Sequence, residues 1–409
     1  MLKLDSVSIK ITDRKEKEES IKMTKYDFTT IPNRLEHNSV KWQEIKENPH
    51  KLPLWVADMD FLDLPEIKQS IHDYADYGVY GYAYVEDSLI ESVQNWEKNQ
   101  HQYEFSKESL ILVEGVVPGI GLAIQALTKE NDAVLINTPV YPPFARTVKL
   151  NNRKLVENAL LEKNGEFLID FKTFEKDIVE NSVKLYILCN PHNPGGRVWT
   201  KEELLKIGQI CQKHNVLLVS DEIHQDLTLF GHEHHTFNKI APDFKEFSVL
   251  LSSATKSFNI AGVKCAYAII ENKNLREKYL QRRLMNNQQE ISSLGMLATQ
   301  VAYNKGAQWL SELKEVLEKN ITYVESELHQ KTKIKVMKPQ GTYLVWLDFS
   351  DYKLNDKELD KKLSEEVEVI LNKGASFGQA GQAHARLNAA APFSLIEEAT
   401  KRLVETFAI

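Results

Sequence analysis

Lys256 stands in the stretch Ser252–Gly262, S-S-A-T-K-S-F-N-I-A-G, directly after the apolar run Val249-Leu250-Leu251. A lysine presented at the end of a buried strand loses hydration, and that loss lowers the pKa of its ammonium. The neutral amine is the form in which a Schiff-base lysine acts as nucleophile and base. A lone lysine in a loop also snorkels to solvent, so the meaning of Lys256 depends on its company.

Other reactive or polar groups also follow short apolar runs. After Glu114 comes G-V-V-P-G-I-G, a turn opening a helix, whose free N–H groups and dipole suit a phosphate or simply start a helix. After Asn137, T-P-V-Y-P-P-F holds Tyr141 between prolines, as a packed surface tyrosine or as a plate for a planar ligand. After Cys189, N-P-H-N-P-G-G makes a restrained loop that aims the Asn193 amide. Asp221 ends L-L-V-S-D, where a carboxylate needs a partner: a helix cap, a salt bridge, or a protonated ring nitrogen. Arg386, in H-A-R-L-N, carries the forked guanidinium that binds carboxylates bidentately. Each group has an ordinary reading. Together they meet the needs of pyridoxal phosphate: an amine, an anion beside the ring nitrogen, a phosphate cradle and a flat surface.

The elements that must position these groups alternate. Apolar runs at Leu110–Glu114, Ala133–Asn137, Lys184–Cys189, Val216–Ser220, Val249–Ser252 and Cys265–Ile270 predict strands. Helical spacing at Gly119–Lys129, Lys201–His214 and Leu275–Met285 separates several of them, after earlier helices at Pro65–Tyr77 and Ser88–His101. This α/β alternation predicts a mainly parallel, doubly wound sheet with ligands gathered beyond its carboxyl edge. Past Ser292, helices at Ser292–Tyr303, Trp309–Lys331 and Ser394–Phe407 surround strand-like pieces near Val336 and Thr342–Leu347, predicting a second, smaller α+β domain. The expected organisation is a charged tail over residues 1–22, an arm and part of the small domain over 23–65, a large domain over 66–304 and the rest of the small domain over 305–409.

Composition sets the bounds. Hydrophobic residues at 42% and charged residues at 27% describe a soluble globular chain, and the net charge of −7 offers no footprint for nucleic acid. No apolar run is long enough to span a membrane, and the charged N-terminus is unlike a secretion signal. The three cysteines, Cys189, Cys211 and Cys265, are too scattered for a disulfide framework or zinc cage, so a cytoplasmic location is expected. Cys189 reads as a small buried hydrophobe. Two motif-like stretches fail. Ser253–Lys256 satisfies S-x-x-K without its partner motifs S-D-N and K-T-G, and His232-Glu233-His234-His235 is not H-E-x-x-H and reads as a solvated loop, so no metal is expected.

At this point the motifs become specific. The chain resembles fold-type I pyridoxal-phosphate enzymes of the class I/II aminotransferase group, and within it the bacterial cystathionine β-lyase-like C–S lyases of the MalY/PatB type. The resemblance rests on W-V-A-D-M-D-F at Trp55–Phe61, V-Y-G-Y-A-Y at Val79–Tyr84, G-V-V-P-G-I at Gly115–Ile120, C-N-P-H-N-P at Cys189–Pro194, S-D-E-I-H at Ser220–His224 and the lysine stretch itself. It implies the pyridoxal-phosphate-dependent transferase fold. It also implies that Lys256 binds the cofactor aldehyde, Asp221 pairs with the ring nitrogen, Asn193 bonds the ring hydroxyl with His224 nearby, and Tyr141 stacks on the ring. Val116 and Val117 backbone groups, Ser253 and Lys264 would hold the phosphate. Tyr82 would reach the phosphate of a neighbouring subunit, which implies a homodimer, and would join Lys256 and Tyr141 as a catalytic group. Arg386 would clamp the substrate α-carboxylate. Two positions depart from the wider pattern: Gly195 replaces a threonine, and A-A-A-P-F follows R-L-N. The implied activity is α,β-elimination on a small sulfur amino acid such as L-cystathionine. Transamination and a catalytically silent cofactor-binding regulatory protein are the alternatives.

Overall fold

A computed structural model describes residues 25–409; the expected tail at 1–22 lies outside them. Its centre is a seven-stranded sheet with spatial order Leu110–Val113, Ala266–Ile269, Ser248–Ser252, Leu217–Asp221, Leu185–Cys189, Ala133–Thr138 and Lys154–Ala159. Only Ala266–Ile269 runs antiparallel to its neighbours. The mainly parallel α/β sheet is therefore the predicted one.

Both faces of this sheet are covered. Val134, Ile136, Leu185, Ile187 and Val219 enter one core cluster, while Leu135, Tyr186, Leu188 and Leu218 enter another. The strict alternation within continuous apolar runs is what a sheet with helices on both faces requires. Lys154–Ala159 was not among the predicted strands, because an edge strand exposes half its residues and reads as K-L-V-E-N-A. The sequence expectation also lacks the helices Pro143–Leu150 and Phe171–Glu180 and the hairpin Leu161–Lys163 with Glu166–Leu168, all of which are short.

The strand-like pieces expected near Val336 and Thr342–Leu347 are Lys335–Met337 and Leu344–Asp348, and two strands not expected, His384–Asn388 and Asn372–Lys373, complete a four-stranded antiparallel sheet in that order. The helix Ala307–Lys331 serves it with a buried stripe of Leu310, Leu313, Leu317, Ile321, Val324 and Leu328, the spacing of one helical face. Leu52–Pro53 pairs in parallel with Val369–Ile370, so the chain before the large sheet is fastened to elements near the C-terminus. No helix among the described residues is long and apolar enough to cross a membrane.

Gly195, where the wider pattern has threonine, has a steric cause. A Cβ there would lie 2.3 Å from a ring carbon of Phe167, which the hairpin lays over the Asn193 loop. Gly195→Thr is therefore expected to destabilise the protein by about 1–3 kcal/mol, as overpacking does. Thermal unfolding checks this, with Phe167→Ala expected to recover part of the loss in the double variant.

Candidate active site

The strands Leu110–Val113, Ala133–Thr138, Leu185–Cys189, Leu217–Asp221 and Ser248–Ser252 all point the same way, so their carboxyl ends share one edge. Lys264 precedes the single antiparallel strand and so reaches that edge too. A cavity of about 260 Å³ opens there. Gly115, Val116, Val117 and Lys264 line one part of it; Tyr141, Asn193, Asp221, His224, Thr255 and Lys256 line the rest.

The phosphate end is made by the helix Val116–Leu127. Gly119 N–H already donates to Gly115 O at 2.9 Å, and Pro118 has no N–H, which leaves Val116 and Val117 as the free donors of the first turn. Lys256 sits on the short helix Ala254–Ser257, capped by Ser253 Oγ accepting from Thr255 N–H at 3.0 Å. From behind, Ser257 Oγ donates to Asp226 Oδ2 at 2.5 Å, and Asp226 Oδ1 accepts from Trp96 Nε1 at 3.0 Å.

Burial sets the charges. It lowers the Lys256 ammonium to about 8, with the Asp58 carboxylate opposing the shift and the Arg386 guanidinium adding to it. Burial also raises the Asp221 carboxyl to about 7, against a stabilising hydrogen bond from Ile223 N–H at 3.1 Å. The same desolvation, reinforced by Lys256 and Arg386, lowers His224 to about 3, so its ring is neutral. His224 Nδ1 is buried without a hydrogen-bond partner. Burial lifts the Tyr141 phenol as well, so it keeps its proton.

The segment Trp55–Phe61 crosses the cavity as a strap. Lys256 Nζ donates to Ala57 O at 2.5 Å and Tyr343 OH donates to the same carbonyl at 2.9 Å. Asn259 holds Met59 through its N–H and its carbonyl, and Asn388 Nδ2 holds the carbonyls of Val56 and Asp58. On the outer side, Arg34 bridges Asp58 and Asp60, and fully buried Lys41 lies 2.6 Å from Asp60. Ala57, Tyr343 and this ion cluster were not singled out in the sequence. Charges scattered over Arg34–Asp60 carry no periodic signal, although Ala57, Asp58 and Asp60 lie inside the W-V-A-D-M-D-F motif.

Arg386 stands just behind the cavity wall. Its Nη1 donates to Asn193 Oδ1 at 2.9 Å and its Nη2 to Trp55 O at 2.9 Å, while Nε is buried without a partner. Asn193 thus has its oxygen occupied and its amide N–H₂ directed elsewhere. The A-A-A run after R-L-N is fully buried, and Asn320 Nδ2 holds the carbonyls of Ala389 and Ala391 at 2.9 Å each.

Two expected site residues lie away from the cavity. Ser253 is 1% exposed, does not line it, and donates its hydroxyl to Cys265 O at 2.6 Å while accepting from Thr255 N–H. Tyr82 is 95% exposed and lines no part of the cavity of its own chain. The His232–His235 loop also differs from expectation: the His234 side chain is buried, with Nε2 2.7 Å from Glu222 Oε2, because that fully buried carboxylate needs a donor. Cys189 is buried as expected and borders the cavity.

Pyridoxal phosphate fits this set of donors. The amine, the unpaired carboxylate, the free helix N–H groups, the Asn193 amide and the tyrosine ring match its aldehyde, ring nitrogen, phosphate, hydroxyl and ring face in kind. A profile of the family described as aminotransferase class I and II matches residues 49–404, and the chain belongs to that family. It is similar to the cystathionine β-lyase PatB of Bacillus subtilis, 39% identical over 381 residues covering 92% of this chain and 98% of PatB. Among solved structures it matches cystalysin from Treponema denticola, which contains pyridoxal 5′-phosphate. That match has a TM-score of 0.90 and 36% identity, over 93% of this chain and 98% of that one. It also matches a pyridoxal-phosphate-bound C–S lyase from Staphylococcus hominis, with a TM-score of 0.87 and 31% identity over 93% and 98% of the two chains.

The raised Asp221 carboxyl has a consequence for stability. Cofactor-free protein holds a proton there that the unfolded chain has released, so its stability falls as pH rises from the ordinary carboxylate range toward 7. Asp221→Asn has nothing to ionise. Cofactor-free Asp221→Asn is expected to melt above cofactor-free wild type at pH 7.5 and to lose that advantage near pH 4, as read by thermal unfolding across this range. The same variant should retain the cofactor more weakly by absorbance, having lost the anion beside the ring.

Proposed function

We propose that this protein is a pyridoxal-phosphate-dependent carbon–sulfur β-lyase that splits L-cystathionine or a related cysteine S-conjugate into a thiol, pyruvate and ammonia. The observation that carries the reading is the convergence of Lys256, Asp221, Asn193 and the free N–H groups of Val116 and Val117 on one cavity, in a chain 39% identical to a cystathionine β-lyase.

The bound cofactor supplies an aldehyde for the substrate amine and a ring that accepts electrons from Cα. Lys256 anchors the cofactor and, once released, takes the Cα proton; with its pKa lowered to about 8, a useful fraction is neutral near neutral pH. Asp221 keeps the ring nitrogen protonated, since a buried anion is satisfied best by a cation against it. Val116, Val117 and Lys264 hold the phosphate, with His224 beside the ring and Tyr141 against its face. Ser253 serves this end indirectly, by capping the helix that carries Lys256. Arg386 receives the substrate α-carboxylate on its unpartnered Nε side, with Asn193 and Trp55 O fixing the rest of the guanidinium. Tyr141 keeps its proton and, with Tyr82, is the proposed source of the proton for the departing sulfur.

The working unit is a homodimer. Tyr77, Val79, Tyr80, Tyr82 and Tyr84 form an exposed apolar run, each at least 60% accessible, which a second copy would cover and through which Tyr82 would enter the neighbouring site. A cytoplasmic location agrees with three buried, unpaired cysteines.

The deciding assay incubates cofactor-loaded protein with L-cystathionine, with and without a 2-oxo acid. Pyruvate and free thiol are expected in both conditions. Product only with the 2-oxo acid would make the enzyme a transaminase, and none in either would leave a binding protein.

A further inference from the structure

Away from the cavity, three side chains able to bind a metal meet from three strands. Glu162 lies on Leu161–Lys163, Asp348 ends Leu344–Asp348, and His384 begins His384–Asn388, directly opposite Asp348 in the antiparallel ladder. His384 Nε2 lies 3.7 Å from Glu162 Oε2 and 3.8 Å from Asp348 Oδ1. The ligand atoms of all three fall within 4.8 Å of one another.

The tautomer of His384 follows from its other nitrogen. Nδ1 lies 2.6 Å from Gln382 O, and a carbonyl only accepts, so Nδ1 carries the hydrogen. In the neutral ring Nε2 then turns its lone pair toward the two carboxylates. That nitrogen is buried with no hydrogen-bond partner, and both gaps are too long for one. Trp346 stacks on the imidazole at 5.1 Å and 13°, which fixes the direction of the lone pair. Lys335 Nζ approaches only the far oxygen of Asp348, at 3.6 Å, while also bonding Asp351 at 3.0 Å. Three ligand-bearing side chains therefore face a common point; Asp348 Oδ1 accepts from Ser350 N–H at 2.7 Å and keeps a second lone pair, Lys335 stands on the far oxygen, and the two carboxylates favour a positive charge at His384 Nε2.

We propose that Glu162, Asp348 and His384 form a zinc site with its fourth position open to water. Zinc holds imidazole nitrogen and carboxylate oxygen at about 2.0–2.2 Å, which places tetrahedral ligands roughly 3.3–3.6 Å apart, close to the separations from His384. An imidazole with two carboxylates suits zinc better than calcium or magnesium, which favour oxygen alone. The site would act as a clamp. His384 is two residues before Arg386 and on the same face of the strand. Glu162 belongs to the hairpin whose Phe167 packs over Gly195, beside Asn193. Zinc there would tie together the two segments that meet in the Arg386–Asn193 contact.

The test titrates zinc into cofactor-loaded, chelator-treated protein by calorimetry, with cobalt as a spectroscopic substitute. One zinc per chain is expected, with ligand-field bands of a nitrogen- and oxygen-bound cobalt. His384→Ala should abolish binding. Glu162→Gln, on an exposed hairpin position 40% accessible and safe for folding, should weaken it beyond the roughly 10- to 100-fold that loss of an outer-sphere partner costs. No zinc uptake by wild type would overturn the proposal and leave His384 as a protonated ring between two carboxylates. Uptake unchanged in Glu162→Gln would overturn it as well, moving the metal to sites such as the His232–His235 loop.

Discussion

The contact between Lys256 Nζ and the Ala57 carbonyl joins the lysine loop to the strap that crosses it. An ammonium in a cavity lined by Val116, Tyr141, Ile223 and His224 has little water to replace that acceptor. Its position therefore depends on where Ala57 is held. The strap is fixed at several points: Asn259 on the lysine side, Asn388 on the strand of Arg386, and the Arg34–Lys41–Asp58–Asp60 cluster on the outside. A shift in any of these would move the lysine and the guanidinium together. The ion cluster is thus a positioning device for a site it does not touch.

The same low dielectric opposes stability and serves chemistry. Asp221 and Lys256 are each displaced toward their neutral forms because water is excluded. A cationic ring and an aldehyde would relieve both at once, so an unsatisfied cavity is also a selective one. The buried Glu222 next to Asp221 has its own partners, accepting from Ser220 Oγ and Phe237 N–H and facing His234. Neighbouring carboxylates at one strand end are therefore divided between a satisfied structural group and an unsatisfied reactive one.

Much of this arrangement was legible in the residues. Continuous apolar runs ended by Asp221, Asn193 and Lys256 mark a sheet buried on both faces, and the helix boundaries at Pro65–Tyr77 and Lys201–Lys213 carry local signals in Pro65 and the Thr200–Glu203 capping box. What escaped depends on contacts distant in sequence. His234 reads as solvated until Glu222 is found to be buried. Glu162, Asp348 and His384 are separated by whole elements, so no spacing announces their meeting. Tyr82 is 95% exposed, so its expected role rests on the proposed second copy.

The central claim is that Lys256 carries the cofactor. Borohydride reduction of the cofactor-loaded protein followed by peptide mapping tests it most directly. The pyridoxyl label is predicted on Lys256 alone. A label on Lys264, the other lysine lining the cavity, or on any other lysine would contradict the account.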